Sequence, residues 1–236
     1  MIRAVNNAVA GMFWPEDSST PRRVRVKICG LTTFADAQVA IHCGADALGF
    51  NFFPGSRRYV DPQPNSDWMA HLPAKVLKVA VLVDPTWEEL LKAAAWPFID
   101  AVQLHGHEPP EFCQRVAHEG IRFAKALPVA GAAGSGAIPD FFTDTVLLDS
   151  GSRRGFGGRG ETFPWALGAQ FRQEHPDLKV IVAGGLTPEN VAEAVHTIQP
   201  FAVDVTTGVE SSPRHKDAAR VRDFIAAVRR LQVGPG

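Results

Sequence analysis

The chain of 236 residues is 45% hydrophobic and 21% charged, and its basic and acidic residues nearly cancel to a net charge of −1. This hydrophobic content supports the buried core of one domain or of two small ones. The balanced charge excludes a polybasic surface for nucleic acid or an anionic membrane, and no apolar run approaches the roughly 18 residues of a membrane-spanning helix. The three cysteines form no C-x-x-C pair, so we expect no disulfide framework, no metal site and a reducing, cytoplasmic setting.

The first residues differ in character from the rest of the chain. Asn6 and Asn7 interrupt what would otherwise be the apolar region of a signal peptide. We therefore expect residues 1–23 to form a loosely ordered N-terminal arm and residues 24–236 to form one domain.

From residue 24 onward, short β-branched runs alternate with longer amphipathic stretches, which is typical of repeated βα units around a parallel sheet. The clearest helix covers 86–95, with an apolar face behind a capping box of Thr86 and Glu89. Eight units in about 210 residues predict a compact (β/α)8 TIM barrel. The eight strands are predicted at 24–28, 46–50, 76–83, 101–104, 121–127, 145–149, 178–183 and 202–205.

The fifth unit is the weakest, because 130–142 is rich in glycine and alanine and predicts a loop with at most one helical turn, at 138–142. An open, doubly wound sheet therefore remains an alternative fold. That fold needs a glycine fingerprint after its first strand, and "KICGLTT" is not one.

In a barrel, the functional residues lie at the C-terminal ends of the strands and in the loops that follow. Glycine-rich turns follow the sixth, seventh and eighth predicted strands, within "GFGGRGETF", "AGG" and "TTGVE". Glycines allow backbone N–H groups to approach an anion closely. Together, these turns predict a phosphate site, whereas any one of them alone is typical of an ordinary loop.

Cys29 directly follows the first predicted strand and Asp149 lies at the end of the sixth, three steps apart around the ring, so their side chains can face each other across its mouth. A thiol and a carboxyl on opposite sides of a substrate can remove a proton from carbon and give one to oxygen, as an aldose–ketose isomerisation requires. The alternative is that Cys29 is a packing residue and Asp149 caps a loop.

Several segments carry a closer resemblance. In order and spacing, "VKICGLT", "GADALGFNFFPGSRRYV", "VQLHGHE", "LLDS", "GGRGETFPW", "AGGLTPENV" and "FAVDVTTGVE" resemble the signature blocks of the phosphoribosylanthranilate isomerase family of tryptophan biosynthesis. The resemblance runs from about residue 24 to residue 231. It implies a (β/α)8 enzyme that converts N-(5-phosphoribosyl)anthranilate to 1-(2-carboxyphenylamino)-1-deoxyribulose 5-phosphate by an Amadori rearrangement, without metal or organic cofactor.

The resemblance also implies roles for individual residues. Asp149 would be the general acid that opens the sugar ring, and Cys29 the general base that removes the C2 proton. Arg58 would face the anthranilate carboxylate, Asp204 would hold sugar hydroxyls or orient the site, and His105 occupies a matching substrate-site position without an assigned role. The implied phosphate-binding residues are Gly158, Gly160, Gly184, Gly185, Thr207 and Gly208. The implied partner is a small phosphorylated substrate, bound by a monomer or a homodimer.

Three residues depart from the family pattern. Pro164 replaces an aspartate and is expected at the first position of the sixth helix. Arg159 replaces a small residue, and Arg214 replaces a glycine.

Two other functions stay open. The alternatives are another phosphosugar barrel, such as a lyase, a synthase or a histidine-pathway isomerase, or a catalytically silent phosphate-binding barrel. The histidine-pathway enzyme would be expected to use two carboxylates, and Cys29 argues against it.

Overall fold

The computed structural model describes residues 13–14, 23–129, 138–151 and 162–231. Within them, eight parallel strands pair in chain order, and the last also pairs with the first, so the sheet closes into a barrel. The strands are β1 Arg25–Cys29, β2 Ala47–Asn51, β3 Leu77–Leu82, β4 Ala101–Leu104, β5 Phe123–Pro128, β6 Thr145–Asp149, β7 Lys179–Val182 and β8 Ala202–Val205. The helices are α1 Phe34–His42, α2 Pro62–Ala70, α3 Trp87–Ala94, α4 Pro110–His118, α5 Trp165–Glu174, α6 Val191–Ile198 and α7 Ala218–Arg230. The predicted (β/α)8 barrel is confirmed, and its closure rules out the open sheet.

Each predicted strand is present, with its ends shifted by no more than two residues. The capping box is present as well. The Thr86 hydroxyl accepts from the Glu89 backbone N–H, and the Glu89 carboxylate accepts from the Thr86 backbone N–H. In these ranges, no helix combines the length and the apolarity needed to cross a membrane.

The predicted helical turn at 138–142 is wrong. Residues 138–141 have no regular structure, and the Asp140 carboxylate accepts from the Phe142 backbone N–H at 2.8 Å. Phe142 has a φ of +56°, which a right-handed helix cannot accommodate. The preceding stretch, 130–137, lies outside the described residues.

Alternation along the strands divides the core into two layers. On β1, Val26 and Ile28 point outward and pack with the helices. Lys27 and Cys29 occupy the alternate positions and point into the barrel. Below the strand C-termini, the barrel interior is filled by small and branched side chains from several strands, among them Ala47, Val79, Ala124, Leu147 and Ile181.

The chain after β8 differs from a simple βα unit. A 3₁₀ turn, Thr207–Val209, leads into a short antiparallel hairpin of β9 Glu210–Ser212 and β10 His215–Lys216. Arg214 lies in the hairpin turn with a φ of +78°, the left-handed region that glycine adopts most easily. In α5, Pro164 is the N-cap rather than the first helical residue, one position earlier than expected.

Phe13 and Trp14 belong to the arm that was expected to be loose, yet they are 0% and 5% exposed. They pack with the first residues of β2, β3 and β8 at the N-terminal end of the barrel. The Trp14 ring contacts the Phe201 ring at 5.9 Å between centroids, and the Arg25 guanidinium lies 4.5 Å from the Phe201 centroid. The expectation of a loose arm therefore fails at Phe13 and Trp14. The arm's other residues up to 22 lie outside the described ranges.

We predict that Phe13→Ala lowers the free energy of unfolding by about 3 kcal/mol, because it leaves a cavity at the base of the barrel. Because Phe13 lies at the end opposite the strand C-termini, turnover should stay within twofold of the parent. Urea unfolding followed by circular dichroism measures the stability. The matched control is Phe34→Ala, since Phe34 is 40% exposed and should cost less than about 1 kcal/mol. Equal losses in the two variants would show that Phe13 does not close the barrel.

Candidate active site

A cavity of about 810 Å³ opens at the C-terminal ends of the strands. Most residues predicted for the site line this cavity: Cys29, Arg58, His105, Asp149, Gly184, Gly185, Asp204, Thr207 and Gly208. The structure thus brings together side chains and glycines that are up to 179 positions apart in the chain. Gly158 and Gly160, together with Arg159, lie outside the described residues.

Cys29 is the last residue of β1 and is only 7% exposed. It pairs with Gly49 of β2, where an added Cβ would lie 2.6 Å from the Cys29 Sγ. Gly30 follows with a φ of +73°, and a Cβ there would lie 2.5 Å from Cδ of Arg58. Two glycines therefore leave room for the sulfur and for the arginine that crosses the strand end.

Asp149 ends β6, which is separated from β1 by β7 and β8 around the barrel. Its Oδ2 lies 3.2 Å from Nε2 of His105, and its Oδ1 accepts from the Ser150 hydroxyl at 3.2 Å. Burial acts to raise the pKa of Asp149, but the hydrogen bonds from His105 and Ser150 and the charge of His105 outweigh burial and lower it. Asp149 is therefore an ionised carboxylate at neutral pH.

The loop that carries His105 is held by a buried ion pair. Lys125 of β5 donates to Glu108 Oε2 at 2.7 Å and to the Gly106 carbonyl at 2.7 Å. Glu108 in turn accepts from the backbone N–H groups of Asp84 and Gly106, each at 3.0 Å. These contacts fix the turn after β4 and with it the position of the imidazole.

A second network surrounds Arg58. Its Nε and Nη2 donate to the two oxygens of Glu210 at 2.7 and 2.6 Å, and Nη2 also donates to the Thr207 hydroxyl. Lys216 of the hairpin donates to the same Glu210 at 3.3 Å. Burial acts to raise the pKa of Glu210, and the two cations lower it by more. The hairpin thereby anchors Arg58 at the cavity edge.

The floor of the cavity holds a third charged pair. Asp204 of β8 lines the cavity, and its Oδ1 accepts from Nζ of Lys27 at 2.9 Å. Strand register explains the contact, since Lys27 lies opposite Asp204 where β1 pairs with β8.

Gln103 joins the His105 network, with its Nε2 2.8 Å from Nδ1 of His105. Sequence reasoning did not single out six residues of these networks: Lys27, Gln103, Glu108, Lys125, Glu210 and Lys216. Lys27 and Gln103 lie two positions before Cys29 and His105, so strand alternation could have placed each on the same inner face. Glu210 and Lys216 depend on the hairpin after β8, for which the sequence offers no clear signal.

This arrangement can perform acid–base chemistry on a small anionic ligand. A thiol and an imidazole–carboxylate pair line one cavity, together with the Arg58 guanidinium and the turns of Gly185 and Gly208. Among the residues that the structure describes, no three His, Cys, Asp or Glu side chains are grouped so that they could hold a metal ion.

Comparisons with known proteins place the chain in one family. The family model described as N-(5'phosphoribosyl)anthranilate (PRA) isomerase matches residues 26–227. A Geobacter metallireducens protein named N-(5'-phosphoribosyl)anthranilate isomerase is 46% identical over 86% of this chain and 97% of its own length. The Thermotoga maritima protein of the same name is 40% identical over 86% of this chain and 97% of its own length.

Solved structures show the same fold. The crystal structure of the Thermotoga maritima phosphoribosyl anthranilate isomerase is 38% identical and superposes with a TM-score of 0.77, covering 88% of this chain and all of its own. A second, 35% identical with a TM-score of 0.73 over 88% of this chain and all of its own, was solved in complex with reduced 1-(o-carboxyphenylamino)-1-deoxyribulose 5-phosphate. On its fold, its cavity and these relatives, the chain belongs to the N-(5'-phosphoribosyl)anthranilate isomerase family.

Proposed function

We propose that this chain catalyses the Amadori rearrangement of N-(5-phosphoribosyl)anthranilate, with Cys29 as the general base and Asp149, paired with His105, as the general acid. The observation that carries the proposal is the position of Cys29 and Asp149, which line one cavity from β1 and β6. A substrate lying between them meets a base on one side and an acid on the other.

The first step is the opening of the sugar. A proton from the acid side goes to the furanose ring oxygen, the bond from that oxygen to C1 breaks, and a Schiff base forms between C1 and the anthranilate nitrogen. In the second step, Cys29 removes the proton on C2. The electron pair of the broken C2–H bond then forms a double bond between C1 and C2 and neutralises the positive charge of the Schiff base. The resulting enolamine tautomerises to the ketone, so the reaction is an isomerisation with no net gain or loss of atoms.

The pairing of Asp149 with His105 supports this pair as the source of the first proton. The hydrogen bonds from His105 and Ser150 lower the pKa of Asp149 and favour its charged form, so we assign the proton to the hydrogen-bonded pair rather than to the carboxyl alone. Gln103 supports two states of the imidazole. Its amide Nε2 lies 2.8 Å from His105 Nδ1 and can donate to that nitrogen in a neutral ring. If the amide flips, its oxygen can instead accept from Nδ1–H of a protonated ring. That amide oxygen is buried and has no partner within the described residues.

The remaining predicted residues fit the two ends of the substrate. Glu210 occupies Nε and Nη2 of Arg58, so we assign the substrate carboxylate to Nη1. The phosphate is assigned to the turns of Gly185 and Gly208, which follow β7 and β8 and line the same cavity. A Cβ on Gly208 would lie 1.8 Å from the Leu186 carbonyl oxygen, so glycine allows the loops after β7 and β8 to meet. Asp204 is assigned to the sugar hydroxyls between these ends.

We propose a cytoplasmic enzyme of tryptophan biosynthesis whose partner is its phosphorylated substrate, and its three cysteines are free thiols, as a reducing compartment requires. The Thermotoga maritima enzyme is described as dimeric. For this chain we predict a monomer or a homodimer, and the molar mass from light scattering distinguishes the two.

We predict that the purified protein consumes phosphoribosylanthranilate in the presence of a chelator, followed by the loss of substrate fluorescence. Cys29→Ala and Cys29→Ser should each lower kcat by about two to four orders of magnitude, the usual effect of removing a positioned base. Serine should not restore activity, because its hydroxyl is too weakly acidic to be present as an anion. Asp149→Asn should lower kcat by a similar factor.

Cys43→Ala is the matched control, because Cys43 is a free thiol at the end of α1 that does not line the cavity. Its kcat should stay within twofold of the parent. Folding of each variant is checked by circular dichroism. A folded Cys29→Ala protein with turnover within threefold of the parent would remove Cys29 from the mechanism.

A separate prediction concerns His105. We assign the descending limb of the kcat/KM pH profile of the parent to the proposed acid, the His105–Asp149 pair. In His105→Asn the proton must reside on the carboxyl alone, so the descending limb should move to lower pH and kcat at pH 8 should fall at least tenfold. If instead kcat falls by one constant factor at every pH and the limb stays in place, His105 has only a structural role.

A further inference from the structure

The centre of the barrel contains a lysine that the proposed chemistry does not use. Lys27 precedes Cys29 by two residues on β1 and is fully buried. Its Nζ donates to Asp204, which is 6% exposed. Burying an ion pair costs desolvation that an apolar pair of similar volume avoids. A charged pair at this position therefore calls for an explanation other than stability.

The ammonium of Lys27 lies close to the sulfur of Cys29. Both side chains point inward, because alternate residues of a strand share a face. A Cβ built on Gly49 would lie 2.6 Å from the Cys29 Sγ and 2.9 Å from the Lys27 Nζ, so both atoms approach the same gap in β2. Burial acts to lower the pKa of Lys27, but the charges of Asp204 and Cys29 and the hydrogen bond to Asp204 raise it by more.

Other charged groups also face Cys29. Arg58 and Lys216 act on it through their charges, and both donate to Glu210, which offsets part of their effect. Asp149 lies across the cavity, hydrogen-bonded to His105. Among these cations, Lys27 is the one whose Nζ lies with the sulfur beside Gly49.

We propose that Lys27 is a positioning residue that stabilises the thiolate of Cys29, and that Asp204 limits how much of the lysine charge the sulfur experiences. The proposal rests on the role of Cys29 as the base. Lys27 does not line the cavity, so it acts through Cys29 and not on the substrate. A cation beside a thiol favours the charged, reactive form.

The test measures the rate at which iodoacetamide alkylates Cys29 as a function of pH, read by peptide mass spectrometry, together with the pH profile of kcat/KM. In Lys27→Met, the midpoint of alkylation and the ascending limb of kcat/KM should both move up by about one to three pH units, the usual effect of losing a close opposite charge. In Asp204→Asn the alkylation midpoint should move down, because the lysine then interacts with the sulfur alone.

Lys78→Met is the matched control, since Lys78 is another buried strand lysine, paired with Asp100 at 2.8 Å, that does not line the cavity. Its alkylation midpoint should equal that of the parent. An unmoved midpoint in folded Lys27→Met overturns the proposal. If Lys27→Met does not fold, Asp204→Asn decides, and a midpoint that is unmoved or raised overturns it. Activity retained in Cys29→Ala would instead refute the base assignment, while the alkylation midpoints would still report on Lys27.

Discussion

The pairing of β8 with β1 is the contact on which the site depends. In an open sheet of the same strand order, β1 would lie at one edge and β6 near the other, with their ends far apart. Closure makes them neighbours across a single mouth, separated only by β7 and β8. The register of the closing pair also places Lys27 opposite Asp204, so one set of backbone hydrogen bonds sets both the distance across the cavity and the charge beneath it.

The barrel interior changes character along its axis. Its N-terminal end is apolar and is covered by Phe13 and Trp14. Its C-terminal half contains buried charges, arranged as Lys27 with Asp204 and Lys125 with Glu108. Each pair lies beneath a residue of the proposed acid–base machinery or beneath the loop that carries one. The desolvation that these pairs cost is offset by the apolar layer below and by the helices outside.

The sequence predicted the barrel well because its signals are local. Strand alternation and the Thr86 capping box depend on residues that are neighbours in the chain. The same is true of Cys29 and Asp149, whose positions at strand ends follow from the strand assignment. The chain's resemblance to a known family supplied their roles, and the structure adds that both line one cavity.

What the sequence could not predict depends on distant contacts. The burial of Phe13 and Trp14 results from the open base of the barrel, which no local pattern in the arm reveals. The link between Arg58 and Glu210 joins residues 152 positions apart. In the turn of the hairpin after β8, Arg214 adopts a conformation that glycine prefers. The residue type at this position therefore did not indicate a turn.

The central claim is that the substrate lies across the mouth between Cys29 and Asp149. The most direct test is a crystal structure of this protein with reduced 1-(o-carboxyphenylamino)-1-deoxyribulose 5-phosphate, the ligand of the related complex. The account predicts C2 of the ligand within about 3.5 Å of the Cys29 Sγ, the reach of a reacting pair, with the phosphate at Gly185 and Gly208. A ligand bound with its carboxylate at Gly185 and Gly208, or with C2 turned away from the sulfur, would contradict it.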